Sequence, residues 1–129
     1  MQRFVVIFFL LVLAGPAFAG SAAIETKLYF GLGIPGGGRV GERQWMRFLA
    51  ETVTPRFPDG LTVLSGTGQW RDPKGQSAKV MSEPSRIVII VHPETAATAK
   101  AIAEIRQTYV KRFRQQSVLQ TDQPVNVVE

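Results

Sequence analysis

Arg56, Asp59, Trp70, Arg71 and Glu83 are the residues of this chain whose types and spacing could do chemistry. Arg56 and Asp59 flank or occupy the turn Phe57-Pro58-Asp59-Gly60, whose geometry comes from its proline and glycine rather than from charge. Either could therefore reach a ligand, or the two could clasp each other across the turn. Trp70 presents a large apolar ring that suits either a core or a ligand platform. Trp70 and Arg71 are adjacent in an extended segment, so their side chains point to opposite faces and cannot share one pocket. Glu83 stands before Pro84 and a long apolar run. A carboxylate there could act as a general base, or simply pair with Arg71 or Arg86.

Other chemistry is thin. His92 is the only histidine, placed at the end of the apolar run where a helix is expected to begin, and a capping or structural role fits it better than acid–base work. No second metal ligand stands at a recognisable spacing from it. There is no G-x-S-x-G elbow, and the absence of cysteine excludes disulfides, thiolate metal sites and a cysteine nucleophile. Gly31-x-Gly33-x-x-Gly36 fits the letters of a dinucleotide fingerprint. Pro35 interrupts it, and no parallel βαβ unit follows, so the match is rejected. The glycine-rich loop with Arg39 could bind an anion through its backbone, although a mobile connector is the simpler expectation. No cofactor and no metal are expected.

Residues 1–19 have the layout of a secretory signal peptide: Arg3, the apolar run Phe4 to Ala14, and Ala17-Phe18-Ala19 as a cleavage site. The apolar run is shorter than the roughly 20 residues of a spanning helix, so no stable membrane anchor is expected after cleavage. The remaining 20–129 are enough for a single domain. Cleavage removes Arg3 and no acid, lowering the formal net charge from +5 to +4. That mild excess does not argue for nucleic acid. The run Lys111, Arg112, Arg114 is explained by the dipole at a helix C-terminus.

The elements that must position the candidates follow from periodicity. Leu28, Phe30 and Leu32 alternate with Lys27, Tyr29 and Gly31, predicting a strand over Thr26 to Gly33. Trp45, Phe48, Leu49 and Val53 form the apolar stripe of a helix from Glu42 that stops at Thr54, because Pro55 disfavours helix in the residue before it. Leu61 to Leu64 reads as a short strand, Ser65 to Gly68 as a hairpin or bulge, and Gln69 to Asp72 as extended. An exposed excursion follows Pro73. Ser85 to Val91 is the pattern of a central strand covered on both faces. A long helix should open at His92-Pro93-Glu94, burying Ala99, Ile102, Ile105, Tyr109 and Phe113 and fading near Ser117, with a last strand over Val125 to Val128. Strand, helix, strand, strand, helix, strand is the split βαβ order: an α+β, ferredoxin-like fold with two helices on one face of a four-stranded antiparallel sheet. Tyr29, out of phase with the core residues of the first strand, suggests that the other face is not wholly polar.

The strand Tyr29-Phe30-Gly31, the helix near Trp45, the run Arg56 to Val63, the Gly68 to Arg71 segment and Glu83 before its strand resemble a family of small, mostly secreted bacterial proteins. That family is the domain of unknown function numbered three thousand five hundred and seventy-four. The resemblance spans the chain after the signal and implies a bacterial, periplasmic envelope protein, with no activity attached. Many relatives carry a lipid-attachment cysteine after the signal, and this chain has none. With charged and aromatic residues grouped but no assembled catalytic set, the expected function is a non-enzymatic domain binding a small polar ligand or an envelope protein partner. The alternative is a cofactor-independent enzyme, of isomerase or small monooxygenase type, on the open sheet face of a homodimer. A third possibility is that the Arg56 to Arg71 stretch only builds a dimer interface.

Overall fold

The computed structural model describes residues 20–73 and 79–129. The expected signal peptide and the middle of the excursion after Pro73 lie outside the described residues. Strand β1 runs Ser21–Gly31 and buries Thr26, Leu28 and Phe30, the alternation expected from its sequence. It begins five residues earlier than predicted, because Ser21 to Glu25, mostly small or polar, pair with the last strand.

Helix α1 spans Glu42–Phe48, and Gln44 Oε1 accepts from the Gly41 N–H at 2.9 Å to close its start. A π turn, Leu49–Val53, continues it, with the Thr54 N–H donating to the Leu49 carbonyl at 2.9 Å. The wider turn keeps Leu49, Thr52 and Val53 buried on the same side as Trp45 and Phe48. Phe57 is buried after the helix, and the Gly60 N–H donates to the Phe57 carbonyl at 3.2 Å, forming the predicted turn.

Strand β2 is Thr62–Arg71 and β3 is Val80–His92. The expected break at Ser65 to Gly68 does not occur. Gly66 and Gly68 stay in register opposite Ser85 and Glu83; the Ile87 and Ser85 side chains close over Gly66, while Gly68 makes only ordinary contact with Glu83. β2 and β3 are thus the two arms of one long hairpin. Helix α2 spans Ala96–Phe113 and starts at Thr95, whose Oγ1 accepts from the Thr98 N–H at 3.1 Å. Pro93 lies outside the helix and His92 ends β3, because a Thr cap three residues later satisfies the helix's free N–H groups. Strand β4 is Leu119–Val127, longer than expected because its polar stretch also pairs with β1, in a ladder from Ser21 to Tyr29.

The sheet order is β2-β3-β1-β4, with every pair antiparallel. With the helices on one face, this is the ferredoxin-like α+β arrangement. Between sheet and helices, Phe30, Trp45, Phe48, Tyr109 and Phe113 pack edge to face or tilted, with centroids 4.7–6.3 Å apart. Ile102, Ile105, Tyr109 and Phe113 face this core as predicted; Ala99, in the first turn of α2, is exposed. Among the described residues no helix is long and apolar enough to cross a membrane.

Candidate functional site

Strand parity decides which side each candidate occupies. Leu28, Phe30, Val88, Ile90 and His92 are buried under the helices, so Tyr29, Gly31, Glu83, Ile87 and Ile89 belong to the opposite, open face. On β2, the open-face residues are Thr62, Leu64, Gly66, Gly68 and Trp70, opposite Ile89, Ile87, Ser85, Glu83 and Met81. The face has half-buried Tyr29, Ile87 and Ile89 at its centre, Leu64 (48% exposed) beside them, and the Lys27–Glu25 ion pair at 3.1 Å further along β1.

Glu83 is the chemically distinctive group on this floor. Its Oε2 accepts from the Gly33 N–H at 2.8 Å, and its Oε1 accepts no hydrogen bond among the described residues. The carboxylate occupies the space where side chains at 31 and 33 would stand. A Cβ on Gly31 would lie 2.5 Å from Oε1 and one on Gly33 2.6 Å from Oε2. This close approach requires glycine for space, since both residues have ordinary backbone angles. On the β2 side Gly68, opposite Glu83, also carries no side chain, and a Cβ there would meet Glu83 only at ordinary contact distance.

The segment that holds the carboxylate is itself fixed. The Tyr109 hydroxyl donates to the Gly31 carbonyl, Gln115 Nε2 to the Gly33 carbonyl at 2.8 Å, and the Leu32 N–H to the Pro84 carbonyl at 2.9 Å. Burial raises the Tyr109 phenol well above its ordinary range; the nearby Glu83 charge adds to this and Arg86 partly offsets it. Tyr109 therefore stays protonated and serves as a donor. Beyond Gly33 the glycine-rich loop is an ordered hairpin, not a loose connector. Gly33 bridges to Arg39, the Ile34 N–H donates to the Gly38 carbonyl at 3.1 Å, and Gly36, Gly37 and Gly38 take positive φ.

Glu83 pairs with neither Arg71 nor Arg86. Arg86 belongs to the helix-side phase and bridges to Glu42 at 3.2 Å, while Arg71 is opposite Val80 at the far end of the hairpin. Arg56 makes no clasp with Asp59. Its Nε meets Glu104 Oε2 at 3.1 Å and its Nη1 donates to the Thr52 carbonyl at 2.8 Å, tying the π turn to α2. Asp59 is exposed in the turn. Trp70 is 47% exposed, not core, because it points to the open face of an edge strand, away from the helix layer. It shares the open face with Glu83, two residue pairs along the hairpin, beside Met81. Of the five candidates only Trp70 and Glu83 come together. The functional positions missed in the sequence are Gly31 and Gly33. Two glycines at i and i+2 clear one face of a strand, and that spacing was the available signal.

His92 is buried, and its Nε2 lies 2.7 Å from Thr26 Oγ1, which donates to Asp122 Oδ1 at 2.7 Å; its Nδ1 lies 2.8 Å from the Pro93 carbonyl. Thr26 is fully buried, so this histidine–threonine–aspartate chain offers no accessible nucleophile and holds β1, β3 and β4 together. Among the described residues no group of acids and histidine could hold a metal ion.

Two comparisons place the chain. The model of the family described as "Protein of unknown function (DUF3574)" matches residues 25–128. Among solved structures, a phage SAM lyase in complex with S-methyl-5'-thioadenosine superposes with a TM-score of 0.62 at 14% identity, over 83% of this chain and 84% of that one. The same lyase in its apo state gives 0.59 at 13% identity, over 84% and 85%. No curated protein matches the sequence. The fold is thus one that an enzyme uses, which overturns the expectation of a non-enzymatic binding domain.

Proposed function

The chain belongs to the DUF3574 family, and from that premise, its enzyme-like fold and the open-face carboxylate, we propose that it is a cofactor-independent lyase acting on a small organic cation. The observation that carries this proposal is Glu83. One carboxylate oxygen is fixed by a backbone N–H, the other is free of protein partners among the described residues, and both stand in a clearing left by glycines. A carboxylate so placed can face a positive centre and accept a proton from the carbon beside it. Tyr29, Leu64, Ile87 and Ile89 supply an apolar floor for the rest of the substrate.

Elimination suits this equipment because a sulfonium is already an activated leaving group. As the carbon–sulfur bond breaks, its electron pair goes to sulfur and discharges it. The proton on the neighbouring carbon passes to Glu83 Oε1 and on to water, and the carbon–hydrogen pair becomes the new double bond. No oxidant or reductant enters the balance. The signal expected at residues 1–19 would carry the chain out of the cytoplasm. The substrate class is therefore set by charge and shape rather than by the lyase's own substrate.

The test is turnover by the 20–129 chain, which contains every element of the fold. S-adenosylmethionine and dimethylsulfoniopropionate serve as the sulfonium probes, with thioether products read by mass spectrometry. Release of the neutral thioether from either supports the lyase; no release and no binding of either sulfonium rejects it.

An elimination site gains from shielding the substrate from bulk water, and among the described residues no other element covers the open face. A second copy would do so, seated on Leu64, Val91 and Leu119, which are 48%, 48% and 61% exposed on that face. Light scattering should then give an oligomer that Leu119→Asp shifts toward monomer; a monomer at high concentration would remove this part of the proposal.

A further inference from the structure

On the other side of the sheet, a cleft of about 560 Å³ opens between α1 with its π turn and the C-terminal end of α2. Four arginines line it, Arg43 and Arg47 from α1 and Arg112 and Arg114 from α2 and its cap, against one acid, Glu51. Glu51 is already shared, 3.3 Å from Arg112 and 4.0 Å from Arg47. Arg43 and Arg114 have no acidic partner among the described residues and both are exposed. The cleft is therefore left with uncompensated positive charge on two elements that face each other.

Helix dipoles account for only part of this. Cations at the C-terminal end of α2 complement that helix, which explains the charge of Arg112 and Arg114 but not why an arginine holds the cap. Arg43 lies in the first turn of α1, where the dipole disfavours a cation. Arg114 is the sole described non-glycine residue at positive φ, 51°, in a left-handed cap position where glycine would sit without strain. The π turn stands on the same wall, and such turns recur at functional sites. An arginine held against the dipole and another held in a strained cap, both aimed into one cleft, mark a surface kept for its charge.

We propose that this cleft binds a phosphate-bearing anion through Arg43, Arg47, Arg112 and Arg114. The guanidinium fork matches phosphate oxygens two at a time, and opposing arginines on two helices suit a group that presents oxygens on more than one side. The phosphate could belong to a soluble compound or to a lipid headgroup at a membrane surface. The site is independent of the lyase proposal, lying in the helix layer rather than on the open face.

Two probes separate the sources: inorganic pyrophosphate in calorimetric titration, and sedimentation with phosphatidylglycerol vesicles against phosphatidylcholine vesicles, both with the 20–129 chain at low salt. Binding of pyrophosphate assigns a soluble phosphate; binding of phosphatidylglycerol vesicles alone assigns a lipid headgroup. In either case the double variant Arg43→Gln with Arg114→Gln should bind at least tenfold more weakly. Arg114→Gly, which relieves the cap, should weaken binding while melting at or above the wild-type temperature. No binding to either probe, or binding that the double variant and Arg114→Gly leave unchanged, would overturn the proposal.

Discussion

At the scale of single residues, the site depends on what is absent as much as on what is present. Glu83 can lie across the end of β1 only because residues 31 and 33 have no side chains. Gly33→Ala should therefore turn the carboxylate away from its N–H without unfolding the domain. A displacement of about 1 Å at a reacting group can cost roughly 100-fold in rate. The expected result is a loss of that order in turnover with an unchanged circular dichroism spectrum; full activity would mean that Glu83 does not need this seat. Glu83 was visible in the sequence as a carboxylate ahead of a strand. Its seat was not, because Gly33 lies 50 positions away and only the register of β1 on β3 brings the two together. The clasp expected between Arg56 and Asp59 fails for a similar reason, the partner of Arg56 being Glu104, 48 positions distant.

At the scale of elements, local signals gave type well and limits poorly. The apolar stripes of α1 and α2 and the alternation in β1 stand in the structure almost residue for residue. The ends moved wherever a tertiary partner overrode a local cue: Thr95 took the cap from His92-Pro93, Gly66 and Gly68 were carried through β2 by Ser85 and Glu83, and β4 paired through its polar stretch. The Thr26–His92–Asp122 chain shows why the strands hold at that end. Thr26→Val would leave the buried His92 Nε2 and its neighbour without their shared hydroxyl, at a cost of about 1–3 kcal/mol. Urea unfolding should show a loss in that range with turnover on the distant carboxylate retained; no change in stability would show that this hydroxyl is dispensable.

For the whole molecule, the order of elements was enough to give the ferredoxin-like class, since few topologies accommodate two split βαβ halves. Whether the fold serves catalysis was not legible. The glycine clearing and the carboxylate come from strands distant in sequence, and an open sheet face looks the same in outline whether it binds or reacts. The division of labour is clearer in three dimensions. The helix layer holds the aromatic core and carries the arginine cleft, while the free side of the sheet carries the apolar floor and Glu83. The account therefore turns on that carboxylate, and the most direct measurement compares thioether release from S-adenosylmethionine and dimethylsulfoniopropionate by the wild-type chain and by Glu83→Gln at matched melting temperature. The expected result is release by the wild type and a loss of about 100-fold or more in the variant, the low end of what one positioned acid or base contributes. Equal release by both proteins would contradict it.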